Sequence, residues 1–160
     1  MKNLIVYYSL EGNTEYVVDK IKSMTDADLL CLIPKKAYPD KGVKKFLWGG
    51  KSAMMGEKPA LEEYTVNLED YDRVIFGFPV WASNYTPPLR TFIEDNREQL
   101  RGKRFVAFAC QSGSGAEKAF SKLAKSLGID GFEQTAVFID PKTKASAETD
   151  EQIMAFCRAL

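Results

Sequence analysis

The chain contains no histidine. That absence removes Ser-His-Asp and Cys-His catalysis together with the commonest metal ligand. Cysteine is sparse. Cys31, Cys110 and Cys157 form an odd, widely spaced set in apolar surroundings, which supplies neither a disulfide framework nor a zinc site and reads as buried core thiols. No uninterrupted apolar stretch approaches the roughly 20 residues that a spanning helix needs, so no membrane partner is expected. The opening run from Met1 to Tyr8 has one basic residue, a short apolar segment and no small-residue cleavage site after it. It reads as a first strand rather than a signal peptide, which points to the cytoplasm. Excess charge is missing as well: 22 basic residues face 22 acidic ones, so nucleic acid is not an expected partner. Any chemistry must rest on other side chains or on a cofactor.

What is present fits one ordinary domain, residues 1–160, with 45% apolar and 28% charged residues. Five short apolar runs are rich in strand formers: Leu4–Tyr8, Leu29–Ile33, Val74–Phe78, Phe105–Cys110 and Ala136–Ile139. None alternates apolar with polar, as expected of strands buried on both faces in a parallel sheet. Helical spacing separates them. Val17, Val18, Ile21 and Met24 form one stripe. Leu89, Phe92 and Ile93 follow Pro87-Pro88, and Ala116, Ala119, Phe120, Leu123 and Leu127 end at Gly128. Ile153, Met154, Phe156, Cys157 and Leu160 follow a predicted cap at Thr149-Asp150-Glu151. A further helix is predicted between the second and third strands, with Val43, Phe46, Leu47, Ala53 and Met54 on its buried side, although Gly49-Gly50 weakens it by about 1 kcal/mol per glycine. Repeated β-α units with short right-handed crossovers give an α/β three-layer doubly wound sandwich. Ligands in such folds bind outside the carboxyl ends of the strands.

Three loops fall at that edge. Ser9-Leu10-Glu11-Gly12-Asn13-Thr14 joins a buried strand to a helix. Gly12 permits a tight turn, and backbone amides at the positive helix end suit an anion, with hydroxyls from Ser9 and Thr14. An ordinary turn capped by Asn13 or Thr14 is the competing reading. There is neither a Walker lysine nor a G-x-G-x-x-G fingerprint, so a monophosphate ester fits better than a triphosphate or dinucleotide. In Pro79-Val80-Trp81-Ala82-Ser83-Asn84-Tyr85, Trp81 and Tyr85 lie just past a strand end in a proline-stiffened loop. Together they point to a stacking site for a flat aromatic ligand; the alternative is that they cap the core. Gln111-Ser112-Gly113-Ser114-Gly115 reads as another close-approach loop or as a surface turn.

This combination resembles the flavodoxin family over the whole chain. The first loop is similar to the family's S-x-T-G-N-T pattern. Phe78-Pro79-Val80-Trp81, with Asn84 through Arg90, resembles the flavin-ring loop of a bacterial flavodoxin-like subgroup, and Gln111 to Gly115 falls where a third flavin loop belongs. No segment interrupts the fifth strand, as in the short-chain type. The resemblance implies FMN, a five-stranded parallel sheet of order 2-1-3-4-5, and electron transfer. Ser9, Gly12, Asn13 and Thr14 would hold the phosphate. Pro79, Val80, Trp81, Ala82 and Asn84 would line the isoalloxazine, and Gln111, Ser112, Gly113 and Gly115 would approach its pyrimidine edge.

Two departures bear on function. Leu10 and Glu11 stand where hydroxyl residues are frequent in the family, and Glu11 must point away from a phosphate. Electron-carrier flavodoxins are strongly acidic, whereas this chain is neutral and its 35–58 segment is basic: Lys35, Lys36, Lys41, Lys44, Lys45, Lys51 and Lys58 against Asp40 and Glu57. That run is either a solvated face or a docking surface for an acidic partner or anionic cosubstrate. Two functions remain: an FMN protein passing electrons to a redox partner protein or small-molecule acceptor, and an FMN-dependent NAD(P)H oxidoreductase acting on a quinone or similar molecule. A receiver domain is set aside, because Tyr8-Ser9 and Phe78-Pro79 lack its acidic residues. No catalytic acid, base or nucleophile is assigned, since a flavin would carry the chemistry.

Overall fold

The computed structural model describes residues 1–39, 51 and 55–160. The elements in chain order are β1 (Asn3–Tyr7), α1 (Asn13–Met24), β2 (Asp28–Cys31), β3 (Arg73–Pro79), α2 (Pro87–Asp95), α3 (Arg97–Leu100), β4 (Arg104–Gln111), α4 (Ala116–Leu127), β5 (Gln134–Ile139) and α5 (Ala147–Arg158). The five strands form one parallel sheet of order β2-β1-β3-β4-β5.

Alternation along the strands divides the core in two. Leu4, Val6, Val74, Phe76, Phe105 and Ala107 face α2 and α4, meeting Leu89, Phe92, Phe120 and Leu123. Ile5, Tyr7, Ile75, Val106, Phe108 and Phe138 face α1 and α5, meeting Val17, Val18, Ile21, Ile153 and Phe156. The crossover order thus covers both faces, as continuous apolar strands demand. Gly77 pairs with Phe108 across β3 and β4, and a Cβ at Gly77 would fall 2.3 Å from the Phe108 ring. The missing side chain there makes room for an aromatic ring in the next strand.

The sheet departs from the sequence reading at its margins. β2 alternates half-buried and exposed residues, and β5 leaves Thr135 and Ile139 exposed, because edge strands are flanked on one side only. α5 begins at Ala147, not at Thr149: Ser146 Oγ accepts the Thr149 N–H at 3.2 Å and is the cap. The short α3 lacks enough length to give a periodic signal. The helix predicted around Val43–Met54 lies outside the described residues, as do Asp40, Lys41, Lys44 and Lys45. Among the described residues no helix is long and apolar enough to cross a membrane.

Candidate functional site

Parallel strands bring the loops after β1, β3, β4 and β5 to one edge. There they enclose a cavity of about 330 Å³, within the usual size range for small-molecule sites. Its wall contains Ser9, Leu10, Glu11, Asn13 and Thr14 from the first loop, Pro79, Val80, Trp81 and Ala82 from the second, and Gln111, Ser112, Gly113 and Ser114 from the third. Cys110 and Asp140 complete it.

The first loop starts α1 with Gly12 in the left-handed region (φ 97°) and no side-chain cap at that position. The opening amides of a helix have no intrahelical acceptor. Neither predicted cap serves here. Ser9 Oγ instead accepts the Glu15 N–H at 3.2 Å, and Asn13 Oδ1 accepts the Lys142 and Thr143 N–H groups at 2.9 and 3.2 Å. Asn13 therefore ties the β1–α1 loop to the β5–α5 loop. Thr14 is 1% exposed, and its hydroxyl has no nitrogen or oxygen partner among the described residues, its polar neighbour being the Cys110 thiol. An unpaired buried hydroxyl costs about 1–3 kcal/mol. One lying on a cavity wall at a helix N-terminus is placed to serve an anion there. Beside it, burial pushes the Cys110 thiol up to about 12, so this sulfur stays protonated and inert at neutral pH.

The second loop is a two-residue hairpin. Trp81 and Asn84 exchange backbone hydrogen bonds at 3.0 and 2.9 Å, and Ala82 and Ser83 between them both sit in the left-handed region (φ 49° and 57°). Non-glycine residues held there store strain, a feature that concentrates at ligand sites. Trp81 is braced edge-on by Tyr8 and Tyr38, with ring centroids 5.7 and 5.2 Å away. It presents a fixed, half-buried aromatic surface at the cavity.

The third loop carries polar groups already engaged. Gln111 Oε1 accepts the Ala116 N–H at 3.0 Å and caps α4, while Ser112 Oγ donates to Asp140 Oδ1 at 2.5 Å. Asp140 is 5% exposed with φ 41°, and Lys144 Nζ stands 3.5 Å from its carboxylate.

Five residues singled out in the sequence stand behind the wall rather than on it. Tyr85 is 1% exposed, its hydroxyl 2.5 Å from Ser126 Oγ and its ring 4.9 Å from the Arg90 guanidinium. It is a core residue and not a stacking surface, because it packs edge-on against Phe78 inside the core. Asn84 Oδ1 accepts the Tyr85 N–H at 2.8 Å, which fixes the hairpin. Ser83 and Gly115 pack on each other: a Cβ at Gly115 (φ 109°) would lie 2.8 Å from Ser83 Oγ. The close approach at Gly115 is thus between two loops of the protein. At Gly12 the neighbour is Lys142, whose Nζ lies 2.8 Å from where a Cβ would stand. Asp140 and Lys142 have no motif of their own. Their signal in the sequence is position alone, just after the fifth strand at the carboxyl edge, a loop the sequence reading passes over.

A doubly wound α/β fold with a polar helix-start pocket beside a rigid aromatic wall, at the strands' carboxyl edge, defines a class of ligand-binding domains. A family model described as Flavodoxin matches residues 2–155. The chain belongs to the flavodoxin family. Among solved structures it resembles a flavoprotein from Lactobacillus acidophilus crystallised in complex with FMN, at 22% identity over 88% of this chain and 93% of that one, with a TM-score of 0.71. It also resembles oxidised flavodoxin 2 from Bacillus cereus, at 20% identity over 99% and 97% of the two chains and a TM-score of 0.59. Two-electron reduced flavodoxin from Megasphaera elsdenii matches at 19% identity over 99% of each chain, with a TM-score of 0.58.

Proposed function

We propose that the whole chain acts as one FMN-binding unit that transfers electrons through the bound flavin. The observation carrying this reading is the buried, unpartnered Thr14 hydroxyl on the cavity wall at the start of α1. The residues present fit the cofactor. Uncapped amides and Thr14 at one end suit a phosphate ester. Pro79, Val80 and Trp81 supply an apolar and aromatic wall for a flat ring system, and the small residues Ser112 and Gly113 leave room along a ring edge.

When bound, FMN supplies reversible acceptance of one or two electrons. The protein's own groups bind, orient and shield. Asn13 holds the phosphate loop against the β5–α5 loop, and the Ala82-Ser83 hairpin keeps Trp81 in place. The titratable side chains on the cavity wall are Glu11, Cys110 and Asp140: burial holds the Cys110 thiol protonated, and Asp140 accepts from Ser112 and pairs with Lys144. On this reading the flavin passes electrons to a redox partner protein or a small acceptor.

The test is reconstitution with FMN followed by anaerobic titration. Stoichiometric FMN uptake, with reduction by dithionite or a reductase protein but not by NADH or NADPH, supports the electron carrier. Direct bleaching by a nicotinamide replaces it with the oxidoreductase reading, and no FMN uptake removes both.

A further inference from the structure

We infer that Asp140 is a positioning residue for the flavin: through Ser112 it fixes the third loop at the cavity, so a residue of the β5–α5 turn sets how tightly the ligand is held. The inference rests on the FMN reading above and adds to it a fourth loop, outside the three that stand out in the sequence.

The loops at the carboxyl edge touch one another in a closed circuit. Asn13 of the first loop accepts the N–H groups of Lys142 and Thr143 in the β5–α5 turn. Asp140 in that turn accepts the Ser112 hydroxyl of the third loop at 2.5 Å. Gly115 at the end of the third loop packs on Ser83 of the second, and Trp81 of the second meets Tyr8 at the end of β1. Asp140 is a link in this circuit whose side chain also reaches the cavity wall.

Its chemistry suits a tether. A hydroxyl donating to a carboxylate makes a short bond, roughly twice as strong as one between neutral groups. A buried carboxylate is costly unless it is hydrogen-bonded and paired. Here Oδ1 takes Ser112, and Oδ2 stands 3.5 Å from Lys144 Nζ. The stretch it holds has little support of its own: Ser112, Gly113 and Ser114 are exposed, and nothing lies within 4 Å of a Cβ at Gly113. These same residues border the cavity. Without the tether, the stretch must be ordered when the ligand binds, and that cost subtracts from affinity. The Asp140 N–H donates to the Gln111 carbonyl oxygen at 3.1 Å through the backbone, so changing the side chain leaves β5 attached to β4.

The experiment is calorimetric titration of the full chain with FMN for the wild type, Asp140→Gly, Asp140→Asn, Ser112→Ala, Lys144→Met and the double variant Asp140→Gly/Ser112→Ala. Glycine and asparagine both tolerate the left-handed backbone at Asp140 (φ 41°), so both should fold. Asp140→Gly and Ser112→Ala should each weaken FMN about tenfold, equivalent to roughly 1.4 kcal/mol. The double variant should lose no more than either single one, because both remove the same bond. Asp140→Asn keeps an oxygen acceptor for Ser112 and should retain most of the affinity. Lys144→Met removes a mostly exposed partner and should stay within about twofold of wild type. The visible absorption band of the bound flavin, which reports the surroundings of the ring, should change alike in Asp140→Gly and Ser112→Ala and match the wild type in Asp140→Asn. Losses that add in the double variant would mean that Asp140 acts independently of Ser112. Unchanged affinity in Ser112→Ala, or a loss in Asp140→Asn as large as in Asp140→Gly, would mean that the tether has no such role. Each of these overturns the inference while the FMN reading stands, and a wild type that binds no FMN overturns both.

Discussion

The two edges of the sheet solve opposite problems. At the amino edge charges are gathered into paired clusters. Arg73, only 4% exposed, donates to Asn3 Oδ1 at 3.0 Å, to Glu133 Oε2 at 3.3 Å and to the Leu160 carbonyl oxygen, while Arg104 also pairs with Glu133. Tyr71 donates to Asp28 at 2.8 Å, and Lys2 stands 3.5 Å from the same carboxylate. At the carboxyl edge the pattern reverses. A buried hydroxyl lacks a partner, and Ala82, Ser83, Asp140, Gly12 and Gly115 all adopt positive φ. Local rules are broken more often where the strands end in loops than at the amino edge, where Gln134 Oε1 at the start of β5 is a buried oxygen without a partner among the described residues.

Variants at the two edges should therefore separate stability from affinity. The largest effect is expected from Arg73→Met. It leaves Asn3 Oδ1 and the Leu160 oxygen without their donor and Glu133 with Arg104 alone, and breaking a buried ion pair costs about 3–5 kcal/mol; the partly exposed Glu133, still paired with Arg104, places the loss at or below the lower end. Denaturant melts should show it, and FMN affinity per folded molecule should not change. Thr14→Val is the converse. It removes a buried hydroxyl with no nitrogen or oxygen partner among the described residues, so stability without ligand should hold or rise slightly. FMN affinity should fall by about 1.5–3 kcal/mol, the worth of a hydrogen bond to a charged group. If Thr14→Val unfolds the chain, or Arg73→Met weakens FMN selectively, the contrast between the edges is wrong.

How far the sequence carries the reader follows the same division. The five strands and the four long described helices were legible because buried parallel strands read as continuous apolar runs and amphipathic helices have a strong period, whereas the sheet order came with the family resemblance. The β1–α1 loop and the Trp81 loop stood out in the sequence because glycine, proline and tryptophan narrow what a loop can do. Other features depend on distant contacts. Trp81 and Tyr85 look alike in sequence, yet one borders the cavity and the other packs into the core against Phe78, with its hydroxyl on Ser126. Gly115 reads as space for a ligand and turns out to be space for Ser83. Asp140 and Lys142 meet the first loop only across the sheet edge, 129 residues from Asn13 in the case of Lys142, and no local pattern encodes that.

The strained hairpin sharpens the comparison from another side. Ala82 and Ser83 occupy a turn whose two central positions favour Asn-Gly. Ser83→Gly should stabilise the apo chain by about 1 kcal/mol if the strain is real, through relief of the left-handed conformation. The same change should loosen the brace behind Trp81 and, on the FMN reading, leave flavin binding equal or weaker. A thermal melt and an FMN titration on the same variant check both halves. Destabilisation would show that the Ser83 side chain, packed on Gly115, outweighs the backbone strain.

The smallest expected effect is a pH dependence confined to the amino edge. Arg104 first, then Arg73, holds the Glu133 carboxyl below the usual carboxylate range, and the Tyr71 hydrogen bond, with Lys2, does the same for Asp28. A depressed folded-state pKa means that the unfolded chain binds protons first as pH falls. This stability is fully present above the unfolded values, near pH 4 to 4.5 by ordinary carboxylate behaviour, at roughly the values of free Asp and Glu. It is lost as pH drops through the folded ones. Both carboxylates border solvent, so screening keeps the change modest. Thermal midpoints of the apo chain between about pH 2.5 and 5, bracketing those reference values, should fall more steeply for the wild type than for Glu133→Gln. Added salt should narrow the gap. A Glu133→Gln variant with the wild-type slope would place the acid sensitivity elsewhere and remove the amino edge's claim to be the paired, charge-stabilised end of the molecule.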